Sequence, residues 1–123
     1  MTSQRQLPPE VPEAPYFTLD MHRRPDADAV EVLLTGDLDD LTVGHLDDSL
    51  GWIVERMTQR RVIVDVTGVT RIEGCAVDSL TRFRSRLAAD RRTLSTRGAS
   101  EAIRLVLGAA GLGETVHVVE PEA

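Results

Sequence analysis

The sequence predicts an α/β fold: a single domain with a mixed, mostly parallel central sheet flanked by helices, in the order β-β-α-β-α-β-α-β. Three observations predict it. Val62, Ile63 and Val64 follow one another with no polar residue between them, the mark of a strand covered on both faces. Val43, Leu46, Leu50, Ile53 and Met57 step by three and four, which lines one face of a helix. Stretches of the strand kind then alternate with stretches of the helix kind, and that alternation implies parallel strands joined by right-handed crossovers.

Taken in order, residues 1–15 carry four of the six prolines and little periodicity. They read as a disordered tail, with the domain over residues 16–120. Residues 16–21 alternate apolar and polar side chains as a strand does. The polar stretch 22–28, with Pro25 inside it, reads as a turn, and residues 29–35 read as a second strand, so the pair forms a hairpin. Residues 36–40 (Gly-Asp-Leu-Asp-Asp) read as a loop. Thr42 is placed to cap the first helix, and Gln59, Arg60 and Arg61 read as its C-terminal end. The strand 62–65 follows, with residues 66–72 as a tight connection. Glu73, Gly74, Cys75 and Ala76 then form a small-residue corner that opens a second helix, striped by Ala76, Leu80, Phe83 and Leu87. A short strand is expected at 93–96. Ser100 caps a third helix with a stripe of Ile103, Val106, Leu107 and Ala110, and Gly111 suits the position just past its end. Residues 116–119 read as a last strand, stopped by Pro121.

Composition narrows the function. The chain has 123 residues, 41% apolar and 28% charged, which suits one folded domain. A net charge of −6 argues against nucleic acid as a partner, because phosphate repels it. No apolar run is long enough to span a bilayer, and the start of the chain lacks a signal-peptide pattern. With a single cysteine no internal disulfide is possible, so the cytoplasm is the expected location.

Enzyme signatures are missing. Ser79 falls within a helix pattern and no G-x-S-x-G elbow is present. His22, His45 and His117 share no ligand spacing, and Cys75 has no metal-binding neighbour in sequence. No phosphate-binding glycine loop occurs. The acidic run Asp37, Asp39, Asp40, Asp47 and Asp48 lacks the spacing of a calcium loop. A helix N-terminus at Cys75 would favour a thiolate, but no other feature supports redox chemistry. No catalytic residue, metal or cofactor is therefore expected, and a redox sensor using Cys75 stands as the enzymatic alternative.

Two stretches carry a resemblance. Val32, Leu33, Leu34, Thr35, Gly36, Asp37, Leu38 and Asp39, followed by Thr42, are similar to the STAS family's strand ending in G-E/D-L-D before a helix-starting Thr. Residues 62–76 resemble that family's hydrophobic-D-L-S-G-V-x-x-I-D-S-S-G corner, and residues 100–112 are similar to its third helix. The likeness spans about residues 16–119. It implies the anti-sigma factor antagonist type. Such a protein binds an anti-sigma factor, often a serine kinase with an ATP-binding fold, and so frees a sigma factor for transcription. It implies partner contacts at Asp37, Asp39, Thr42, Glu73, Gly74, Cys75, Ala76 and Val77. It also implies a kinase-modified Ser at the corner, but that position holds Gly74, which has no hydroxyl. Three readings follow: a constitutive antagonist, a scaffold whose partner is not a kinase, or a switch moved to Ser79 or Thr81. The family also includes accessory subunits of stress-signalling and transport complexes, which stand as the alternative.

Overall fold

The computed structural model describes residues 17–112, so the tail expected at 1–15 and the strand expected at 116–119 lie outside the described residues. Four strands form one sheet in the order β1-β2-β3-β4: β1 (Phe17–Arg24), β2 (Ala29–Leu38), β3 (Arg61–Ile72) and β4 (Thr93–Arg97). β1 pairs antiparallel with β2, while β2 with β3 and β3 with β4 are parallel. Helices α1 (Val43–Arg56) and α2 (Gly74–Ala89) are the crossovers, and α3 (Glu101–Ala109) follows β4. With sequential strands and right-handed crossovers, α1 and α2 lie on one face of the sheet.

The hairpin is longer on both sides than the sequence suggests. β1 runs on to Arg24, which pairs with Ala29, because an edge strand tolerates the exposed His22, Arg23 and Arg24. The turn shrinks to one 3-10 turn, Pro25–Ala27, closed by Asp28 at φ 54. β2 continues through Gly36, Asp37 and Leu38, three residues that had read as loop. Gly36 adopts φ 96, a backbone region open to glycine at little cost.

The largest correction concerns β3. Residues 66–72 are strand, not connection, and β3 is 12 residues long. Its register against β2 slips twice, from Leu33–Asp65 to Thr35–Gly68 and from Gly36–Val69 to Asp37–Arg71. Each slip places one extra residue on β3, as a β-bulge does. The core-facing residues are therefore Val62, Val64, Val66, Val69 and Ile72, stepping by two and then by three. That change of step hides a strand from a search for period-two alternation.

The core joins these residues to Val30, Val32, Leu34 and Leu38 of β2, Leu46, Leu50 and Ile53 of α1, and Ala76, Leu80, Phe83 and Leu87 of α2. α1 ends at Arg56, earlier than expected, because Met57 turns extended and is buried. Besides Arg56 in its last turn, this helix end meets a cation from elsewhere in the chain. Buried Arg92 donates from Nε to the Gln59 carbonyl at 2.7 Å and from Nη1 to the Val54 carbonyl at 3.4 Å. In α3 only Ile103 and Leu107 are buried, while Val106 and Ala110 are exposed. Gly111, at φ 83, closes the helix: its N–H reaches the Gly108 carbonyl and the Leu112 N–H reaches the Leu107 carbonyl. This paired closure brings Leu112 back against the core in place of Val106.

The opposite face of the sheet carries charge. Arg97 of β4 donates from Nε to Asp65 of β3 at 3.0 Å, and its Nη1 lies 3.5 Å from Glu31 of β2. Glu31 also accepts from Arg24 of β1 at 2.9 Å, so one chain of ion pairs crosses all four strands. Ile63, the register partner of Glu31 on the neighbouring strand, is buried beside it. Burial pushes the Asp65 carboxyl up, but hydrogen bonds from Thr67 and the Arg97 guanidinium outweigh this and hold it below its usual value. A lowered folded-state value means stability that is present above the unfolded value of about 3.9 and lost as pH falls through the folded one. Urea unfolding from neutral to acid pH should therefore show Asp65→Asn less stable by about 1 kcal/mol at pH 7. The gap should close below the unfolded carboxylate value, and a constant gap would count against this assignment.

Candidate functional site

Two connections meet where β2 and β3 end. Leu38 pairs with Ile72, and the Glu73 N–H donates to the Leu38 carbonyl at 2.8 Å. The loop after β2 and the corner before α2 are thus tied by main chain at their first residues. Arg71 adds a side-chain tie: its Nη2 lies 3.1 Å from Glu73 Oε2 and 3.9 Å from Asp39 Oδ2. Across the pair, Thr70 Oγ1 donates to Asp37 Oδ1 at 2.6 Å.

Thr42 precedes α1 as expected, but its hydroxyl makes no cap bond to the helix. Asp39 takes that part, with Oδ1 accepting the N–H groups of Leu41 at 3.0 Å and Thr42 at 3.2 Å. The Thr42 hydroxyl turns back instead. It accepts the Asp39 N–H at 3.0 Å and donates to the Asp37 carbonyl at 2.8 Å. Both side chains are buried, so they shape the loop from inside it. The loop they shape holds Leu41 outward, 79% exposed. No sequence argument singled out Leu41, although an apolar residue off the α1 stripe was a signal that could have done so. Arg71 was likewise missed, since a lone cation in a supposed turn gives no pattern.

The corner divides by depth. Ala76 and Val77 are buried in the core, Glu73 and Cys75 are half-buried, and Gly74 is exposed. Gly74 opens α2, with Glu73 extended before it and no side-chain cap. The N–H groups of a first helical turn have no partner within the helix, so Gly74 and Cys75 present theirs outward. A Cβ added at Gly74 would meet nothing within 4 Å. Of the eight residues expected at the surface, Asp37, Glu73, Gly74 and Cys75 therefore face outward at least in part. Asp39, Thr42, Ala76 and Val77 stand behind them.

The alternative hydroxyls are occupied. Ser79 is buried, and its Oγ donates to Asp47 Oδ1, which also pairs with Arg82 Nη2 at 3.3 Å. Thr81 Oγ1 donates to the Val77 carbonyl at 2.9 Å, a back-bond along its own helix. Among the described residues no group of three His, Cys, Asp or Glu side chains could hold a metal ion, and no described helix is long and apolar enough to cross a membrane.

The paired strands, the tied loop and the corner at the start of α2 are the organisation of a STAS domain. The family model described as "Mlab, STAS domain" matches residues 21–120, and the chain belongs to that family. Solved structures share the fold. The unphosphorylated form of the anti-sigma factor antagonist SpoIIAA is 20% identical, with a TM-score of 0.69 over 82% of this chain and 85% of that one. The phosphorylated form of the Bacillus cell fate determinant SpoIIAA is 20% identical, with a TM-score of 0.65 over 82% of this chain and 88% of that one. An anti-sigma factor antagonist from Mycobacterium paratuberculosis is 17% identical, with a TM-score of 0.71 over 81% and 82% of the two chains. No curated protein matches the sequence.

The Thr42 hydroxyl serves two main-chain groups, the buried Asp39 N–H and the part-buried Asp37 carbonyl, so replacing it strands both. Thr42→Val is expected to cost about 2 kcal/mol and to lower the melting temperature by about 10 °C. A calorimetric melt within a degree or two of the unmodified protein would show that the hydroxyl does not hold the loop.

Proposed function

We propose that this protein is a non-catalytic antagonist of an anti-sigma factor, a serine kinase with an ATP-binding fold, and that it frees a sigma factor by sequestering that kinase. The contact surface comprises Leu41, Asp37 and the outward corner residues Glu73, Gly74 and Cys75. Asp39, Thr42, Ala76 and Val77 support it from behind. The observation that carries this reading is the joining of loop and corner into one surface, through the Glu73–Leu38 main-chain bond and the Arg71 clamp. An exposed apolar side chain beside exposed polar groups has the make-up of an interface anchor and its rim.

The same surface lacks the usual switch. A phosphate at the corner would add about −1.5 to −2 charges beside Glu73 and break a packed interface. Gly74 offers no oxygen to receive one, while Ser79 and Thr81 are internally bonded. The antagonist is then constitutive and controlled by its abundance. Open space at Gly74 and a backbone outside the left-handed region mean that a serine fits there without rearrangement.

Calorimetric titration against the ATP-binding anti-sigma kinases of the same organism is the test of the partner. One of them should bind, and Leu41→Asp should weaken that binding by on the order of 2 kcal/mol. Uniform absence of binding would sink the reading. With kinase and ATP, intact-mass measurement should show no added phosphate on the native chain and one on Gly74→Ser. A phosphate on the native chain would mean that the switch persists elsewhere.

A further inference from the structure

The strand register gathers arginines at the end of the molecule away from the corner. Arg24 pairs with Ala29, Ala29 with Arg61, and Arg61 with Thr93, so these four positions form one row across the sheet. Arg61 is exposed, and so are Arg23 and Arg60, which adjoin the row in sequence, and Arg91, two residues before Thr93. α1 and α2 finish at the same end, since each crossover returns the chain to the start of the next strand, and they add exposed Arg56 and Arg86. None of these six makes a salt bridge among the described residues. Arg24 is taken by Glu31. Among the described residues the other carboxylates near this end are Asp26, Asp28, Glu55 and Asp90, so cations are in excess among them.

An aromatic side chain stands beside two of them, Arg56 and Arg86. Trp52, the one tryptophan of the chain, is 42% exposed. The Arg56 guanidinium lies 5.7 Å from its ring centre. Arg86 comes in from α2, with Nη1 3.6 Å from where a Cβ on neighbouring Gly51 would stand.

We propose that this end is a docking surface for an anionic lipid membrane, adsorbing through the unpaired arginines and Trp52. Exposed Trp beside unpaired Arg has the amphipathic make-up of side chains that settle at a headgroup layer, and the row of strand ends suits a flat target. The net charge of −6 does not oppose this. β3 alone separates the two ends by roughly 35 Å, several Debye lengths at physiological salt, so the acidic corner end is screened from the lipid. Adsorbed like this, the protein would keep the corner directed away from the bilayer and free for its partner.

Trp52 reports the event directly. Full-length protein should show a blue-shifted emission with phosphatidylcholine vesicles that contain phosphatidylglycerol, none with phosphatidylcholine alone, and reversal at high salt. Arg60→Gln combined with Arg61→Gln should lower the partition coefficient roughly 30-fold, about fivefold per charge. Arg56→Gln with Arg86→Gln should act similarly, and circular dichroism melts should confirm that both variants fold. Leu41→Asp, at the far end, should bind vesicles unchanged, which keeps this test separate from that of the partner. Equal binding to both vesicle types, no binding at low salt, or retention on duplex DNA or polyglutamate but not on vesicles would overturn the proposal.

Discussion

The parallel pairing of β2 with β3 is the constraint on which the rest of the structure depends. Its main-chain bonds fix where both strands stop, and both stops lead into the connections that form the candidate site. β3 must reach as far as Ile72 to pair with Leu38, and it does so with two more residues than β2 uses. The two bulges absorb that surplus, keep Val66, Val69 and Ile72 in the core, and deliver Glu73 against the Leu38 carbonyl. Without them, β3 past Asp65 would present the wrong side chains to α1 and α2.

From that pairing the site follows by short steps. The strand ends place Asp37 and Arg71 side by side, and Arg71 then reaches both Asp39 and Glu73. Asp39 holds the next main-chain N–H groups and Thr42 locks the loop to the strand end, so Leu41 has nowhere to go but out. Buried, mutually satisfied polar groups make a loop rigid. A rigid loop loses little entropy when a partner closes over it.

Much of this was legible in the sequence, and the failures have physical causes. Element types, the order of the described elements, the α2 stripe and the Leu46, Leu50 and Ile53 part of the α1 stripe were read correctly, because burial on one face imposes a period. β3 was cut short because bulges replace a step of two with a step of three. The end of α1 was placed too late because Arg60 and Arg61 look like a C-terminal cation pair, whereas Arg92 takes that role from 33 residues away from the Gln59 carbonyl it binds. Val106 was assigned to the core because periodicity cannot foresee a closing turn that folds Leu112 inward. The site was half legible. Asp37, Asp39, Thr42 and residues 73–77 could be named as candidates from local motifs, whereas Leu41 and Arg71 could not, and which of them face out depends on hydrogen bonds between segments that no local motif encodes. Thr42 is the clearest instance: it stands where a cap belongs, yet its hydroxyl bonds to the strand behind it.

The central claim is that loop and corner form one docking surface. Hydrogen–deuterium exchange of the protein, alone and with the partner that co-purifies from its own cells, tests it most directly. The account predicts new protection in residues 36–42 and 72–76 together, with little change along the outer face of the sheet. Protection of only one of these segments, or protection centred on α3 or the outer face, would contradict it.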